Sequence, residues 1–386
     1  MTYPLATNTW DENEKNAMLE VMESGMYTMG TRVKEFENQF AQIFGSHYAV
    51  MVNSGSSANL LAIASLFYKQ NNPLEQGDEV IVPAVSWSTT YHPLQQYNLK
   101  LRFVDIDLGT LNYDLEALEN AITSNTKMIV AVNLLGNPNN FNEINSIIGE
   151  RNIILIEDNC ESMGAKYDER YAGTFGVMGT FSTFFSHHIS TMEGGVVLTN
   201  DEELYHIMLS LRSHGWTRHL PEKNLVTGQK SKDVFEESFK FVLPGYNLRP
   251  GELHGAIGIE QLKKLPEIIS ERRKNADYFN KLFSNHPFIL IQNEIGESSW
   301  FGFSLVLRRD APYSRKQLIT KLQENSIECR PIVSGNFLKN PVLKYYKYTI
   351  SGKIVNADFI DQNGLFVGNH HYNISEEIER LYKILQ

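Results

Sequence analysis

The sequence predicts an α/β protein: a large domain over residues 1–245 with a mostly parallel sheet flanked by helices, and a smaller C-terminal α+β domain over 246–386. Three observations predict it. Short β-branched runs alternate with amphipathic segments, and such apolar runs are what strands buried on both faces require. After about residue 245 the pattern changes to one long helical stretch followed by strand, helix and strand. The chain is also 386 residues long and 42% hydrophobic, enough for two cores.

The elements follow in order. The strand candidates are YAVMV (48–52), EVIVP (79–83), RFVDID (102–107), KMIVAVNLLG (127–136) and NIILIEDN (152–159). They are short, rich in β-branched residues and bounded by turn formers. Between them, SANLLAIASLFYKQ (57–70) and DLEALENAI (114–122) carry helical periodicity. GTFSTFF (179–185) and GGVVLT (194–199) add two strands. In the second domain, 251–283 reads as a long helix interrupted at Pro266. WFGFSLVL (300–307), SRKQLITKLQEN (314–325) and IECRPIV (327–333) then supply strand, helix and strand. The chain has neither an internal repeat nor a low-complexity segment.

Composition narrows the function. A net charge of −10 argues against nucleic acid as a partner, because duplex binding needs a basic stripe. An anionic small molecule stays open, since a helix N-terminus can hold a phosphate inside an acidic protein. Cys160 and Cys329 are the only cysteines, which excludes a disulfide framework and a four-cysteine iron–sulfur cluster within one chain. No stretch approaches the ~18 apolar residues that span a bilayer, and MTYPLATNTWDENEKN has no basic start followed by an apolar run. The expectation is a cytoplasmic protein without a membrane partner. No histidine spacing suggests a metal.

Three stretches carry residues suited to chemistry. NSGSSANLL (53–61) follows a strand and opens a helix. Gly55 allows close backbone approach, Ser56 and Ser57 offer hydroxyls, and the helix N-terminus adds a positive dipole end. Together these suit a phosphate, although an ordinary helix cap uses the same residues. The stretch matches neither a Walker loop nor a dinucleotide fingerprint, so ATP and NAD are not indicated. Asp158 ends the apolar strand IILIED, at the sheet edge where ligands gather. A carboxylate there can bind a metal, orient a histidine, pair with a protonated pyridine nitrogen or close a turn. Trp87, in PAVSWSTT, can stack on an aromatic ligand or simply pack.

The order of these signals resembles the sugar aminotransferase family of fold-type-I pyridoxal-phosphate enzymes. The similarity runs from TMGTRVKEFENQFAQIFGSHYAVMVNSGSSANLL (28–61) to GYNLRPGELHGAIGIEQL (245–262) and continues through ECRPIV (328–333). It implies the family's fold, with the cofactor on the large domain, and it implies roles. Gly55 and Ser56 hold the cofactor's phosphate, and Ser182 adds a contact. Trp87 stacks on the pyridine ring, and Asp158 keeps the ring nitrogen protonated. Asn247 reaches the phosphate in the neighbouring subunit, so the implied unit is a homodimer with shared active sites. Glu161 stands where the family usually carries Gln or His, near the cofactor's 3-hydroxyl.

FSTFFSHHISTMEGG (181–195) departs from that family at its centre. Counting five residues on from Ser182, or six back from Glu193, lands on His187, where the family has its lysine. Imidazole has no primary amine, so no covalent link to an aldehyde cofactor can form there, but it can carry a proton. Histidine for lysine in this frame resembles the sugar 3-dehydratases of the same family. That resemblance implies pyridoxal and pyridoxamine 5'-phosphate as cofactor, without metal or iron–sulfur cluster, and glutamate as amino donor. It implies loss of the C3 hydroxyl from a GDP-linked 4-keto-6-deoxy sugar, with release of 2-oxoglutarate and ammonia. His187 is then the base. His214 is a candidate substrate contact or a surface histidine; Arg249 and Arg330 are candidates for a carboxylate or diphosphate, or for surface ion pairs. The rivals are an aminotransferase whose lysine has been replaced and a non-catalytic cofactor-binding protein. An iron–sulfur dehydratase lacks the cysteines here, and a Ser–His–Asp hydrolase lacks a nucleophile elbow.

Overall fold

A computed structural model of the protein describes residues 2–386. Its main sheet has eight strands, in the order Tyr48–Val52, Gly195–Thr199, Met178–Ser182, Ile154–Asp158, Thr126–Val132, Glu79–Pro83, Lys100–Val104 and Tyr348–Ile350. Gly195–Thr199 runs antiparallel to both of its neighbours. From Met178–Ser182 onward each strand is parallel to the next. The mostly parallel sheet is the one expected.

Side chains alternate across it with period two. Val50, Val52, Val80 and Val82 pack under helices Gly55–Leu66, Ser88–Gln96 and Glu202–Leu211. Their neighbours face the other way. Ala49 and Met51 meet helices Thr31–Phe44 and Glu252–Phe283, while Ile81 meets Leu115–Ala121 and Phe141–Ile148. With both faces covered, apolar residues are needed at every strand position.

A second, antiparallel sheet runs in the order Ile289–Leu290, Gly302–Leu307, Gly364–Gly368 and Cys329–Arg330. Helices Arg315–Glu324 and Ser375–Leu385 complete its core around Phe279, Phe283 and Phe303. The chain crosses position 245/246 in space three times. Tyr3 is buried in the small core and donates to the Gly368 carbonyl at 2.6 Å. Tyr348–Ile350 returns to the edge of the large sheet. The long helix buries Leu262 and Leu265 in one core and Phe279 and Phe283 in the other.

Three expectations are corrected. The helix Glu252–Phe283 continues through Pro266. Leu262 and Leu265 before the proline, and Ile268 and Ile269 after it, are all buried against the large domain, and this packing outweighs the lost hydrogen bond. RFVDID leaves the sheet after Val104, because Asp105 accepts from the N–H groups of Val355, Asn356 and Ala357 at 2.7–2.8 Å and starts the helix Asn356–Asn363. KMIVAVNLLG ends as a strand at Val132, and Leu134–Gly136 forms a 3-10 turn.

Helix Thr31–Phe44 has Gly30 at its N-cap and no side-chain cap of its own. The buried Glu252 supplies one, accepting from Gly30 N at 2.6 Å and Arg32 N at 2.5 Å. The same contact sets the two helices side by side. At Gly255 a Cβ would lie 2.6 Å from Val33 N, so only glycine allows this approach. Replacing Glu252 by Ala leaves these N–H groups unpaired and is expected to cost about 2 kcal/mol. Chemical unfolding of the cofactor-free variant beside the native chain measures it; an unchanged midpoint would refute the capping role.

Candidate active site

The carboxyl ends of the parallel strands, and the start of the antiparallel one, converge on a cavity of about 320 Å³. Each strand contributes through the residues that follow it: Ser54, Gly55 and Ser56 after Val52; Ser86 and Trp87 after Pro83; Asn133 after Val132; Cys160 and Glu161 after Asp158. Phe184, Ser186 and His187 follow Ser182. This is where a parallel sheet gathers ligand-binding groups.

One end is built as an anion cup. Ser54 caps the helix, accepting from Ser57 N at 3.1 Å, and the Ser57 hydroxyl donates to Asn53 Oδ1 at 2.6 Å. The first-turn N–H groups of such a helix have no partner within it and face outward. A Cβ at Gly55 would lie 2.5 Å from Ser182 Cβ and 3.1 Å from Cys160 Sγ, so the helix start can sit this deep only on a glycine. The Ser56 hydroxyl meets Thr89 Oγ1 at 3.0 Å.

Asp158 lies at the floor, 5% exposed. Its Oδ2 accepts from Asn59 Nδ2 at 2.9 Å and Thr90 Oγ1 at 2.7 Å, and its Oδ1 accepts from Cys160 N at 3.1 Å. Thr180 Oγ1 in turn donates to Asn59 Oδ1 at 2.5 Å, fixing the amide. Trp87, at the N-cap of helix Ser88–Gln96, leaves 59% of its surface uncovered and forms part of the wall. An exposed indole on a cavity wall is a surface for a flat ring to cover.

Glu161 accepts from Leu135 N at 3.0 Å. Burial pushes its carboxyl up to about 7, with the nearby Asp158 adding to the rise. Leu135 takes a positive φ of 52° to present that N–H, and its carbonyl accepts from Phe301 N at 3.0 Å. Strain at a wall residue is retained where the surroundings over-determine it.

His187 sits in the turn between Ser182 and Gly195, its ring 6.0 Å from Phe184 and 5.3 Å from Phe301. Its Nδ1 is buried and makes no hydrogen bond of good geometry, only a weak one with the backbone of Phe184, leaving Nε2 as the nitrogen open to the cavity. Burial pulls its pKa down to about 4, and the charge of Arg272 pushes the same way. His188 does not line the cavity. It is fully buried, with Nε2 3.1 Å from the Ser299 carbonyl.

Of the residues singled out in the sequence, Gly55, Ser56, Trp87, Asp158, Glu161, Ser182, His187 and Arg330 line this one cavity. Arg330 is exposed there, and no carboxylate pairs with it among the described residues. Asn247, His214 and Arg249 lie outside it. Asn247 is exposed and accepts from Arg249 Nε at 3.0 Å, while His214 and Arg249 pack on the ring of Trp216. The sequence reading missed Asn59 and Thr90, which hold Asp158, and Phe301, which faces His187. The first two are 99 and 68 residues from their partner and carry no local pattern. Phe301 reads as an ordinary strand residue. No lysine lines the cavity, and no cluster of three metal-ligating side chains occurs among the described residues. No helix among them is long and apolar enough to cross a membrane.

Residues 8–386 match the DegT/DnrJ/EryC1/StrS aminotransferase family. The chain is 62% identical to the GDP-4-keto-6-deoxy-D-mannose 3-dehydratase of Escherichia coli O55:H7 (strain CB9615 / EPEC), over all of both sequences. It is similar to GDP-4-keto-6-deoxymannose-3-dehydratase solved with a trapped PLP–glutamate geminal diamine, with a TM-score of 0.99, 62% identity and 100% of both chains covered. A histidine-to-asparagine variant of that enzyme, solved with bound GDP-perosamine, matches with the same TM-score, identity and coverage.

The two opposite shifts predict a titration. In the cofactor-free protein two carboxyl groups near pH 7 are expected by NMR, those of Glu157 and Glu161, and Glu161→Gln should remove one of them, whereas the ring of His187 should titrate only near 4. A free histidine titrates near 6.5, so His187 in the unfolded chain takes up its proton first. Its contribution to stability is therefore complete above about pH 6.5 and lost as pH falls toward 4. His188, pulled well below its usual value by burial, acts with the same sign. A His187 resonance titrating near 6.5 in the folded protein would contradict this arrangement.

Proposed function

The chain belongs to the DegT/DnrJ/EryC1/StrS aminotransferase family, and from that premise we propose that it is the pyridoxal-phosphate-dependent dehydratase that removes the C3 hydroxyl of GDP-4-keto-6-deoxy-D-mannose. The observation that carries this reading is the cavity wall: its proton-carrying residue is His187 and no lysine stands beside it. Over its full length the chain is 62% identical to a protein of that activity.

The residues fit the cofactor. Gly55, Ser56 and Ser182 form a cup that a Cβ would fill, suited to a phosphate. Trp87 would cover one ring face, and Asp158, at the floor, would keep a proton on the ring nitrogen. Glu161 would face the 3-hydroxyl. Once bound, the cofactor supplies an amine for the sugar's C4 ketone and a protonated pyridine that accepts an electron pair. His187 would accept at Nε2 the proton released next to the amine and return it to the departing C3 hydroxyl, which would leave as water. Its low pKa keeps the ring in the base form throughout the neutral range. Overall, glutamate is oxidised to 2-oxoglutarate and its nitrogen leaves as ammonia. The electron pair it gives up reduces C3 from carbon–oxygen to carbon–hydrogen, yielding GDP-4-keto-3,6-dideoxy-D-mannose.

The same reading makes the working unit a homodimer. Asn247 and Arg249 serve the cavity of the second copy, with Arg249 and Arg330 on the diphosphate and His214 beside them. Three observations support this. The guanidinium groups of Arg218 and Arg249 stand over Trp216 at 4.2 and 5.6 Å without a carboxylate partner among the described residues. Asn247 is exposed. Around them Phe235, Phe239 and Phe241 are 58–81% exposed, a face that a lone chain would not leave in water.

Two experiments test this. With cofactor, glutamate and the GDP-linked ketosugar, the protein is expected to release ammonia and a 3-deoxy ketosugar, and His187→Asn to lose about 10²–10⁴-fold in rate. A stable amino sugar without ammonia would overturn the assignment. For the dimer, inactive His187→Asn protomers mixed equally with inactive Asn247→Leu/Arg249→Ala protomers should recover about a quarter of native activity, because half the dimers then carry one intact site. No recovery on exchange of protomers would place Asn247 and Arg249 in their own chain's site or in none.

A further inference from the structure

The ring of His187 lacks the usual means of orientation. A catalytic imidazole is commonly aimed by a hydrogen bond on its second nitrogen, and here Nδ1 is buried with no hydrogen bond of good geometry, only a weak one with the backbone of Phe184 in the same turn. Packing must aim it, between Phe184 and Phe301. Phe184 lies in the same turn, 42% exposed, and cannot serve as a fixed wall. Phe301 is the fixed one.

What fixes Phe301 is a run of backbone held on both sides. Ser299 N and Phe301 N donate to the carbonyls of Gly136 and Leu135 at 2.9 and 3.0 Å. The three carbonyls each take a buried donor: Ser299 from His188 Nε2 at 3.1 Å, Trp300 from Asn369 Nδ2 at 2.9 Å, and Phe301 from Arg272 Nη1 at 3.1 Å. Trp300 is held at a positive φ of 47°, outside the range a tryptophan prefers, so the run needs these ties. His188 is the tie next to His187 in the chain, and its own ring lies 5.8 Å from that of Phe301.

We propose that His188 is a positioning residue: through its Nε2–H bond to the Ser299 carbonyl it holds Phe301 against the His187 ring, and so aims His187 Nε2 at the reacting carbon. A carbonyl can only accept, so the bond fixes the proton on Nε2 and leaves Nδ1 bare, in keeping with Nδ1 having no partner. Burial and the neighbouring Arg272 keep this ring neutral. The proposal rests on His187 being the proton carrier. It gives the paired histidines separate tasks, one at the cavity and one behind it.

The test compares His188→Leu, which keeps bulk and loses the donor, with His188→Gln, whose amide nitrogen can take the place of Nε2. In the Leu variant kcat is expected to fall about 10–100-fold, the cost of a small misplacement of a reacting group, with the KM for the sugar and the affinity for pyridoxal phosphate within about twofold. The Gln variant should recover most of the loss. In cofactor-free protein the His187 ring resonance should shift or broaden in the Leu variant and return in the Gln variant, a readout that holds even if His187 proves not to be the base. Native kcat and an unchanged His187 resonance in the Leu variant would overturn the proposal, and so would a Gln variant as impaired as the Leu one. Should His188→Leu fail to fold, Phe301→Leu tests the same relay: kcat should fall with KM held, and an unchanged kcat would break the argument.

Discussion

The structure depends on how one strand end satisfies its carboxyl groups. Residues 157–161, closing the strand Ile154–Asp158, carry Glu157, Asp158 and Glu161. Burying a carboxylate is costly unless donors surround it, so each recruits backbone or side chains from elsewhere. Consecutive strand residues point to opposite faces, and so do the first two. Glu157, fully buried on the far side from Asp158, accepts from the N–H groups of Gly173, Phe175 and Gly176 at 2.5–2.8 Å and shapes the loop that leads into Met178–Ser182. Asp158 draws in one residue from each of two helices, Asn59 and Thr90. Glu161 holds the strained turn at Leu135. The cavity floor, one wall and the strand bearing Ser182 are thus set by the same five residues.

Elsewhere the chain repeats the device to join segments far apart in sequence. Glu252 caps the helix at Thr31, and Asp105 starts the helix at Asn356. Glu37 accepts from Met51 N at 2.8 Å and pairs with the buried Arg212. Apolar packing alone would tolerate small slips between these elements, because contact energy varies slowly with position. A carboxylate bonded to two or three N–H groups does not, since its bonds are short and directional. The two sheets can therefore be tied into one site by polar contacts, while the cores supply most of the stabilisation.

Much of this was legible in the sequence because the strands are buried on both faces and so stand out as apolar runs. The strand Ile154–Asp158 points to Asp158 by its position, and the count from Ser182 and Glu193 picks His187 over His188; the structure places the first ring at the cavity and the second behind it. What was not legible is set by partners far away in the chain. Pro266 reads as a break until the core that buries the helix on both sides of it is known. Asn59 and Thr90 are unremarkable helix residues until Asp158 lies between them. Asn247, His214 and Arg249 fall in the right order along the chain, yet they lie outside the cavity, and order along a chain does not fix position in space.

A lysine and a histidine at position 187 would differ in nucleophilicity more than in basicity. The wall there is buried, and Arg272 adds positive charge; together they disfavour a cation strongly enough to draw the imidazole down to about 4. The same surroundings would pull a lysine's pKa down as well and leave it a neutral amine, a base that can also attack an aldehyde. Histidine stays neutral in the same surroundings and remains a base. What it gives up is the covalent anchor, so the cup at Gly55, the indole of Trp87 and the clamped Asp158 must together retain the cofactor. The same loss leaves His187 without a strong bond to aim it, and on the proposal made above the burden of direction passes to Phe301 and the backbone that carries it.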